Sequence, residues 1–310
     1  ILANAILRKD VISSYSSLNT HDIHKSAALS VDQYMQGRTP GVHVTNRSGH
    51  PSSGAVTLIR GANSLSTSNQ PLYIIDGIIM TPPGTFGSNL EGYSYNPLMG
   101  VNVLDISKTT IIKDPAITAA YGSKASNGLV IIETLDPSAT QTTIELDVRS
   151  GVSLAPSNFI PQLNASQHKT LATEMLFSSG MFSERVWELY PNLYLELTDQ
   201  RFIEYQHDTD WQKEVFNNSM FSNVNLHVKG GDEIARYGLS FGYMDYEGII
   251  KETGYQGYNL RFVSLLNIFT WLRMNASVSL NYNTSNLKES AVVGETSPIL
   301  SALHKSPMLN

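Results

Sequence analysis

The stretch Leu272-Arg-Met-Asn-Ala-Ser-Val-Ser-Leu-Asn-Tyr282-Asn283 decides the fold of this chain. Its even positions carry Leu, Met, Ala, Val, Leu and Tyr; its odd positions carry Arg, Asn, Ser, Ser, Asn and Asn. A β-strand turns successive side chains to opposite faces, so this order makes one face apolar and leaves the other polar. The alternation holds for about a dozen residues, where a globular strand usually has about five or six. A tilted strand crossing a bilayer needs about that greater length.

The same pattern recurs upstream. Ile144, Leu146 and Val148 alternate with Glu145, Asp147 and Arg149, and Val224, Leu226 and Val228 with Asn225, His227 and Lys229. Ala235, Tyr237, Leu239, Phe241 and Tyr243 alternate with Arg236, Gly238, Ser240 and Gly242. Tyr258, Leu260, Phe262, Leu266 and Ile268 share a face, with Asn259 and Arg261 opposite. Tyr243, Tyr246, Tyr255 and Tyr258 gather at strand ends, where an interfacial girdle places amphipathic rings. Residues 230–233 and 269–271 make short turns. Residues 155–221 form a long insert, with helical stretches at 165–177 and 211–216, and 245–254 form a medium loop. Short turns on one side and long loops on the other are the outer-membrane arrangement. A soluble antiparallel sandwich alternates too, but strand length and loop asymmetry favour antiparallel transmembrane β-barrel strands over residues 139–310.

Residues 1–138 differ in character. Short apolar runs at 42–45, 55–60, 72–80, 109–112 and 128–133 read as strands broken by Gly, Pro and polar turns. Asp76-Gly77 between apolar runs signals a two-residue hairpin. Asp114 before Pro115 signals a helix start with a stop at Gly122, and a second helix is expected at 30–35. This half is a small mixed α+β unit.

Composition narrows the function. There is no run of about 18 apolar residues, so no membrane-spanning helix is expected. Cysteine is absent, which removes disulfides and thiolate metal sites. The net charge of −6, without a basic run, argues against nucleic acid as a partner. The start, with apolar residues before Arg8 and Lys9, has the reverse order of a secretory signal. Either a signal has been removed or the numbering begins inside a longer precursor. No GxSxG, HExxH, Walker A or strand-borne GxGxxG motif is present, so no enzyme, cofactor or metal is expected. His21 and His24 read as a solvated turn and Asp208 and Asp210 as helix capping before Trp211, ahead of metal binding.

Several ordered segments carry a resemblance. Tyr34-Met-Gln-Gly-Arg-Thr-Pro-Gly-Val-His-Val44, Ser53-Gly-Ala-Val-Thr-Leu-Ile-Arg-Gly61 and Gln70-Pro-Leu-Tyr-Ile-Ile-Asp-Gly77 come first. Asp105-Ile-Ser-Lys-Thr-Thr-Ile-Ile-Lys-Asp114 and Ala120-Tyr-Gly-Ser-Lys-Ala-Ser-Asn-Gly128 follow, running into Leu129-Val-Ile-Ile-Glu-Thr134. In this order they resemble the plug of SusC/RagA-type TonB-dependent transporters. Asp208-Thr-Asp-Trp-Gln212 and Gly242-Tyr-Met-Asp-Tyr-Glu-Gly248 resemble that family's first barrel segments. Thr39-Pro40 and the stretch after Thr134 depart from the family pattern, so substrate assignments do not transfer. The resemblance implies a plug domain over 1–138 and a barrel of about 22 strands. Five strands at 141–284 cannot close such a barrel, and an open edge in lipid would leave backbone groups unpaired. The barrel is therefore expected to be completed by residues beyond Asn310 or by a separate polypeptide, the first being simpler.

The resemblance also implies function and partners. The family imports oligosaccharides or peptides across the cell outer membrane with a SusD-like surface lipoprotein as lid. A periplasmic TonB complex pulls an N-terminal segment, so a TonB-contacting box is expected upstream of Ile1. The alternative is a divergent barrel serving as a structural subunit of an outer-membrane protein assembly or secretion complex. A soluble carbohydrate-binding module fits the tyrosines but not the plug motifs. Arg60, Asp76 and Lys113 are the candidates for contact between plug and barrel; Arg60 also reads as an exposed strand-end residue. Tyr93, Tyr95 and Asn96, in the loop 81–97, offer stacking faces and an amide to a sugar or peptide. That loop reads equally as an ordinary surface loop.

Overall fold

The computed structural model describes residues 13–19, 28–80, 96–134, 137, 141–157, 160–181, 183–193, 202–289 and 296–309. Two sheets organise it. The first has the order β1 (Tyr15–Asn19), β6 (Ile106–Ile112), β7 (Leu129–Thr134), β4 (Leu72–Ile75), β5 (Ile78–Met80). Beside it lies a separate hairpin, β2 (Val42–Asn46) with β3 (Ala55–Ile59).

Strand β4 is buried along its whole length, which explains its uninterrupted apolar run. Its alternate residues serve two cores. Tyr73, Ile75, Val130, Ile132 and Ile111 join Val31, Tyr34 and Met35 of the first helix and Val44 and Ile59 of the hairpin. Leu72, Ile74, Leu129 and Ile112 face the other way, toward Ala125. The parallel pairing of β4 with β7 sets Leu72 beside Leu129 and Tyr73 beside Val130, so both layers stay in register.

The turns follow their sequence signals. Asp76 and Gly77 take φ values of 48° and 85°, the left-handed pair that a tight hairpin turn requires. Helix α1 (Val31–Tyr34) falls at its expected place, and α2 (Pro115–Thr118) starts where Asp114 accepts a 2.9 Å hydrogen bond from the Ala116 amide. Gly122 breaks the following turn at φ 71°. Two features differ from expectation. Strand β1 carries no periodic signal and forms because the edge of β6 offers partners, Tyr15 to Ile112 through Asn19 to Lys108. Strand β6 starts at Ile106, three residues before the predicted 109.

The second sheet has the order β12 (Leu272–Asn286), β11 (Gly254–Phe269), β10 (Ala235–Glu247), β9 (Ser219–Gly231), β8 (Thr143–Ser153). Every neighbouring pair is antiparallel. Strand β10 runs through Glu247 because Asp245 and Tyr246 still pair with Gln256 and Tyr255. The loop is thus 248–253 instead of 245–254. The insert between β8 and β9 holds α3 (Ala165–Ser178), α4 (Ser183–Leu189), α5 (Phe202–Tyr205) and α6 (Trp211–Val215), and α7 (Pro298–His304) packs against α6. The expected boundary at residue 138 lies outside the described residues.

Register turns the alternation into rows across the sheet. Leu146, Leu226, Phe241, Leu260 and Leu280 form one row on the outer face. Ile144, Val228, Leu239, Phe262 and Val278 form the next, and Val148, Val224, Tyr243, Tyr258 and Tyr282 a third. Beyond the tyrosines the row becomes Ser150, Ser222, Asp245, Gln256 and Thr284. Phe269 and Trp271 stack at 5.6 Å by the opposite turn. From Ala235 to Tyr243 the apolar band covers eight residue steps, about 27 Å along the strand and roughly 20 Å tall when tilted. Such a band, edged by aromatic rings, is the outer surface of a membrane barrel.

Candidate functional site

The inner face of the second sheet is polar, and the plug lies against it. One inner row reads Asp147, Asn225, Gly242, Asn259, Asn281, and the next Glu145, His227, Ser240, Arg261, Ser279. The seam between plug and wall is built on these rows.

At the loop end, the tip of the plug hairpin meets β12. His50 Nε2 lies 3.0 Å from the Asn286 carbonyl, and Ser52 Oγ 2.9 Å from Ser285 Oγ. In the middle, Tyr255 donates a 2.9 Å hydrogen bond to the Met99 carbonyl, and Met99 packs with Met244, Tyr246 and Tyr255. The amides of Asn102 and Asn223 bond reciprocally at 2.9 and 3.1 Å. Gly242 makes room there: a Cβ would sit 2.7 Å from Asn102 Nδ2 and 1.9 Å from Asn259 Oδ1. Toward the short-turn end, Asp76 pairs with Arg261 at 2.5 Å and Asp105 lies 3.5 Å from His227 Nδ1. A cavity of about 20 Å³ opens between Asp105, His227, Ser240 and Arg261.

Asp76 does two jobs through one backbone conformation. Its left-handed turn points Oδ1 at the Thr134 amide, 2.9 Å away, while Oδ2 accepts from the Thr134 hydroxyl at 3.1 Å and from Arg261. The β4–β5 turn is thereby fastened to the last plug strand and to the wall. Asp105 is 3% exposed, and burial pushes its carboxyl up to about 6 despite the attraction of nearby Arg261.

The other expected residues lie elsewhere. Lys113 Nζ donates to Ser16 Oγ at 2.8 Å and to the Pro40 carbonyl, both inside the plug. Burial, then Arg60, holds its ammonium below the usual lysine range. Arg60 is exposed at the end of β3 with φ 60°, near Lys113, and makes no ion pair with the wall among the described residues. Asn96 is buried: Nδ2 donates to Asp32 at 3.1 Å and Oδ1 accepts from the Leu98 amide at 3.1 Å. Its amide is thus committed to the plug interior. Tyr93, Tyr95, His21 and His24 lie outside the described residues. Asp210 caps the helix at Trp211, accepting from the Lys213 amide at 3.3 Å, whereas Asp208 does not cap that helix and accepts from the Ala165 amide at the start of α3, at 2.8 Å. No group of three metal-ligating side chains occurs among the described residues.

A second concavity, about 660 Å³, lies among the loop segments around Gln162, His168, Asp208, Trp211 and His304. Lys305 Nζ stands 3.4 Å from the centre of the Trp211 ring, and the indole N–H donates to the Ser306 carbonyl.

Sequence reading placed His227, Arg261 and the asparagines on the polar face but assigned none of them to the seam. Asn102 carries no signal there, and Asp105 enters only as the first residue of the segment Asp105–Asp114. The available signal was a full charge facing into the sheet, since such a residue needs a partner.

Comparison with known proteins agrees with this geometry. Residues 8–129 match the model of the TonB-dependent receptor plug domain. Over 279 residues the chain is 27% identical to the TonB-dependent receptor P26 of Formosa agariphila, covering 89% of this chain and 25% of that protein. It is 27% identical to the TonB-dependent receptor SusC of Bacteroides thetaiotaomicron over 264 residues, covering 85% and 23%. The solved RagAB peptide transporter superposes with a TM-score of 0.78 at 22% identity, covering 96% of this chain and 34% of that one. The chain thus spans about a quarter of the length of the curated relatives it matches. Residues 8–129 are thus a TonB-dependent receptor plug domain, followed by antiparallel β-barrel strands, and the chain as a whole resembles TonB-dependent receptors of the SusC/RagA type.

Proposed function

We propose that the full-length protein resides in the cell outer membrane and imports oligosaccharides or peptides. A SusD-like lipoprotein lids the barrel, and the periplasmic TonB complex supplies the energy. The observation that carries this reading is the seam. The plug has its own apolar cores, so it can leave the wall without unfolding at once. What joins it to the wall is chiefly polar: Asp76–Arg261, Asp105–His227, Asn102–Asn223 and His50–Asn286. Polar groups of this kind can exchange their partners for water when they separate, which suits a plug that yields to a pull. The outer concavity near Trp211 is of a size to receive a small ligand.

Uptake of labelled oligosaccharides and of labelled peptides by cells carrying the full-length gene tests this, with and without TonB. The expected result is uptake of one class that disappears without TonB and falls when the lid lipoprotein is deleted. Uptake that survives loss of TonB would overturn it, as would native purification with assembly or secretion subunits in place of a lid.

A further inference from the structure

We propose that the Asp105–His227 contact makes the seating of the plug against the wall proton-dependent, so that the plug docks more firmly as the medium acidifies. The proposal rests on the plug-and-wall reading of the seam and is independent of cargo or direction of transport.

Asp105 ends a short 3₁₀ turn, Val103–Asp105, immediately before β6, and is 3% exposed with the plug against the wall. The groups around it do not neutralise it. Arg261, on β11, is committed to Asp76 at 2.5 Å. Asp76 itself adds a second negative charge that works against ionisation of Asp105. Ser240, on β10, places a neutral hydroxyl against the carboxylate, and Asn225 is its other partner at 3.3 Å. His227, on β9, is 3% exposed and bonds through Nε2 to the Asn225 amide at 2.9 Å. Its Nδ1 is the atom that faces Asp105 at 3.5 Å. Around His227 stand Asp147, Glu145 and Lys229, the last two paired with each other at 2.9 Å. Asp105 thus faces an imidazole in a buried seam, and the ring is also bonded to the Asn225 amide and the Leu104 backbone.

With its proton, Asp105 is a neutral acid beside the ring. Without it, a buried carboxylate faces an uncharged ring, and burial of such a charge is unfavourable. A carboxyl whose pKa is raised by docking binds its proton more tightly docked than free. Docking is therefore favoured as pH falls through about 6 and loses that favour above it. Taking about 6 docked and 3.8 free, docking strengthens about fourfold from pH 7.5 to 5.5 and about 25-fold by pH 4.5.

Hydrogen exchange of the full-length protein in lipid vesicles, without substrate or TonB, tests this. The readout is the opening constant of residues 99–108 in wild type divided by that in Asp105→Asn at the same pH, which cancels the intrinsic pH dependence of exchange. The ratio should fall about fourfold from pH 7.5 to 5.5, with the variant the more protected at pH 7.5. A ratio that stays constant overturns the proposal. If Asp105→Asn does not assemble, residues 70–75 of the plug interior serve as the reference within wild type. The same fourfold fall relative to them is then expected, and its absence overturns the proposal. Loss of TonB-dependent uptake alone would leave this result untouched.

Discussion

The plug and the sheet beside it are built by opposite rules. In the plug, apolar residues turn inward: β4 is dry on both faces and Leu129, Val130 and Ile132 are fully buried. In the sheet, Leu146, Phe241, Leu260 and Leu280 point outward and stay exposed, while Asn223, Asn225 and His227 are buried. A water-facing protein with this sheet would be inside out. The difference shows that each region is matched to a different solvent on its outer side, and that they meet at a surface neither treats as core. That third surface is chiefly polar, with one apolar cluster of Met99 against Met244, Tyr246 and Tyr255.

The comparison can be broken at its strongest point first. Leu129→Ala removes a fully buried plug side chain and should cost about 2–5 kcal/mol. Hydrogen exchange should rise through β4, β6 and β7 while the wall strands keep their protection. Equal loss in both regions would mean that plug and wall form one cooperative core. Next, Phe241→Arg places a charge at the middle of the outer face and should destabilise the vesicle-inserted barrel by about 2–4 kcal/mol in denaturant unfolding. Asn281→Arg, one row over on the inner face, should cost less than about 1 kcal/mol. If the inner substitution is the worse of the two, the assignment of faces is reversed. An effect smaller than at either apolar surface is expected at the seam. Asp76→Asn keeps the turn but uncouples Arg261, which should weaken plug seating by about 1–3 kcal/mol without altering the folding of either part. Faster exchange at the seam segments 76–80 and 99–108, with residues 70–75 and the barrel unfolding midpoint unchanged, is the result to look for.

Much of this was legible in advance, for local reasons. The Asp76-Gly77 hairpin, the Asp114 cap and the five long strands each depend on residues within a few positions of one another. Strand β1 was not legible, because Tyr-Ser-Ser-Leu-Asn has no pattern of its own and borrows its order from the edge of β6. The site was read in part. Asp76 stood out as a turn residue and a contact candidate, whereas Asp105 looked like an ordinary acidic residue before a strand.

By itself the sequence determined the two-part architecture, the membrane-facing rows and the kind of plug, since a period of two and a run of turn signals are properties of the backbone that hold wherever the strand goes. Only the tertiary structure decided which polar groups meet. Asp76 and Arg261 are 185 residues apart and Asn102 and Asn223 are 121 apart. Their pairing depends on how the plug is rotated and seated inside the wall, and many weak contacts set that jointly, with no single motif to announce it.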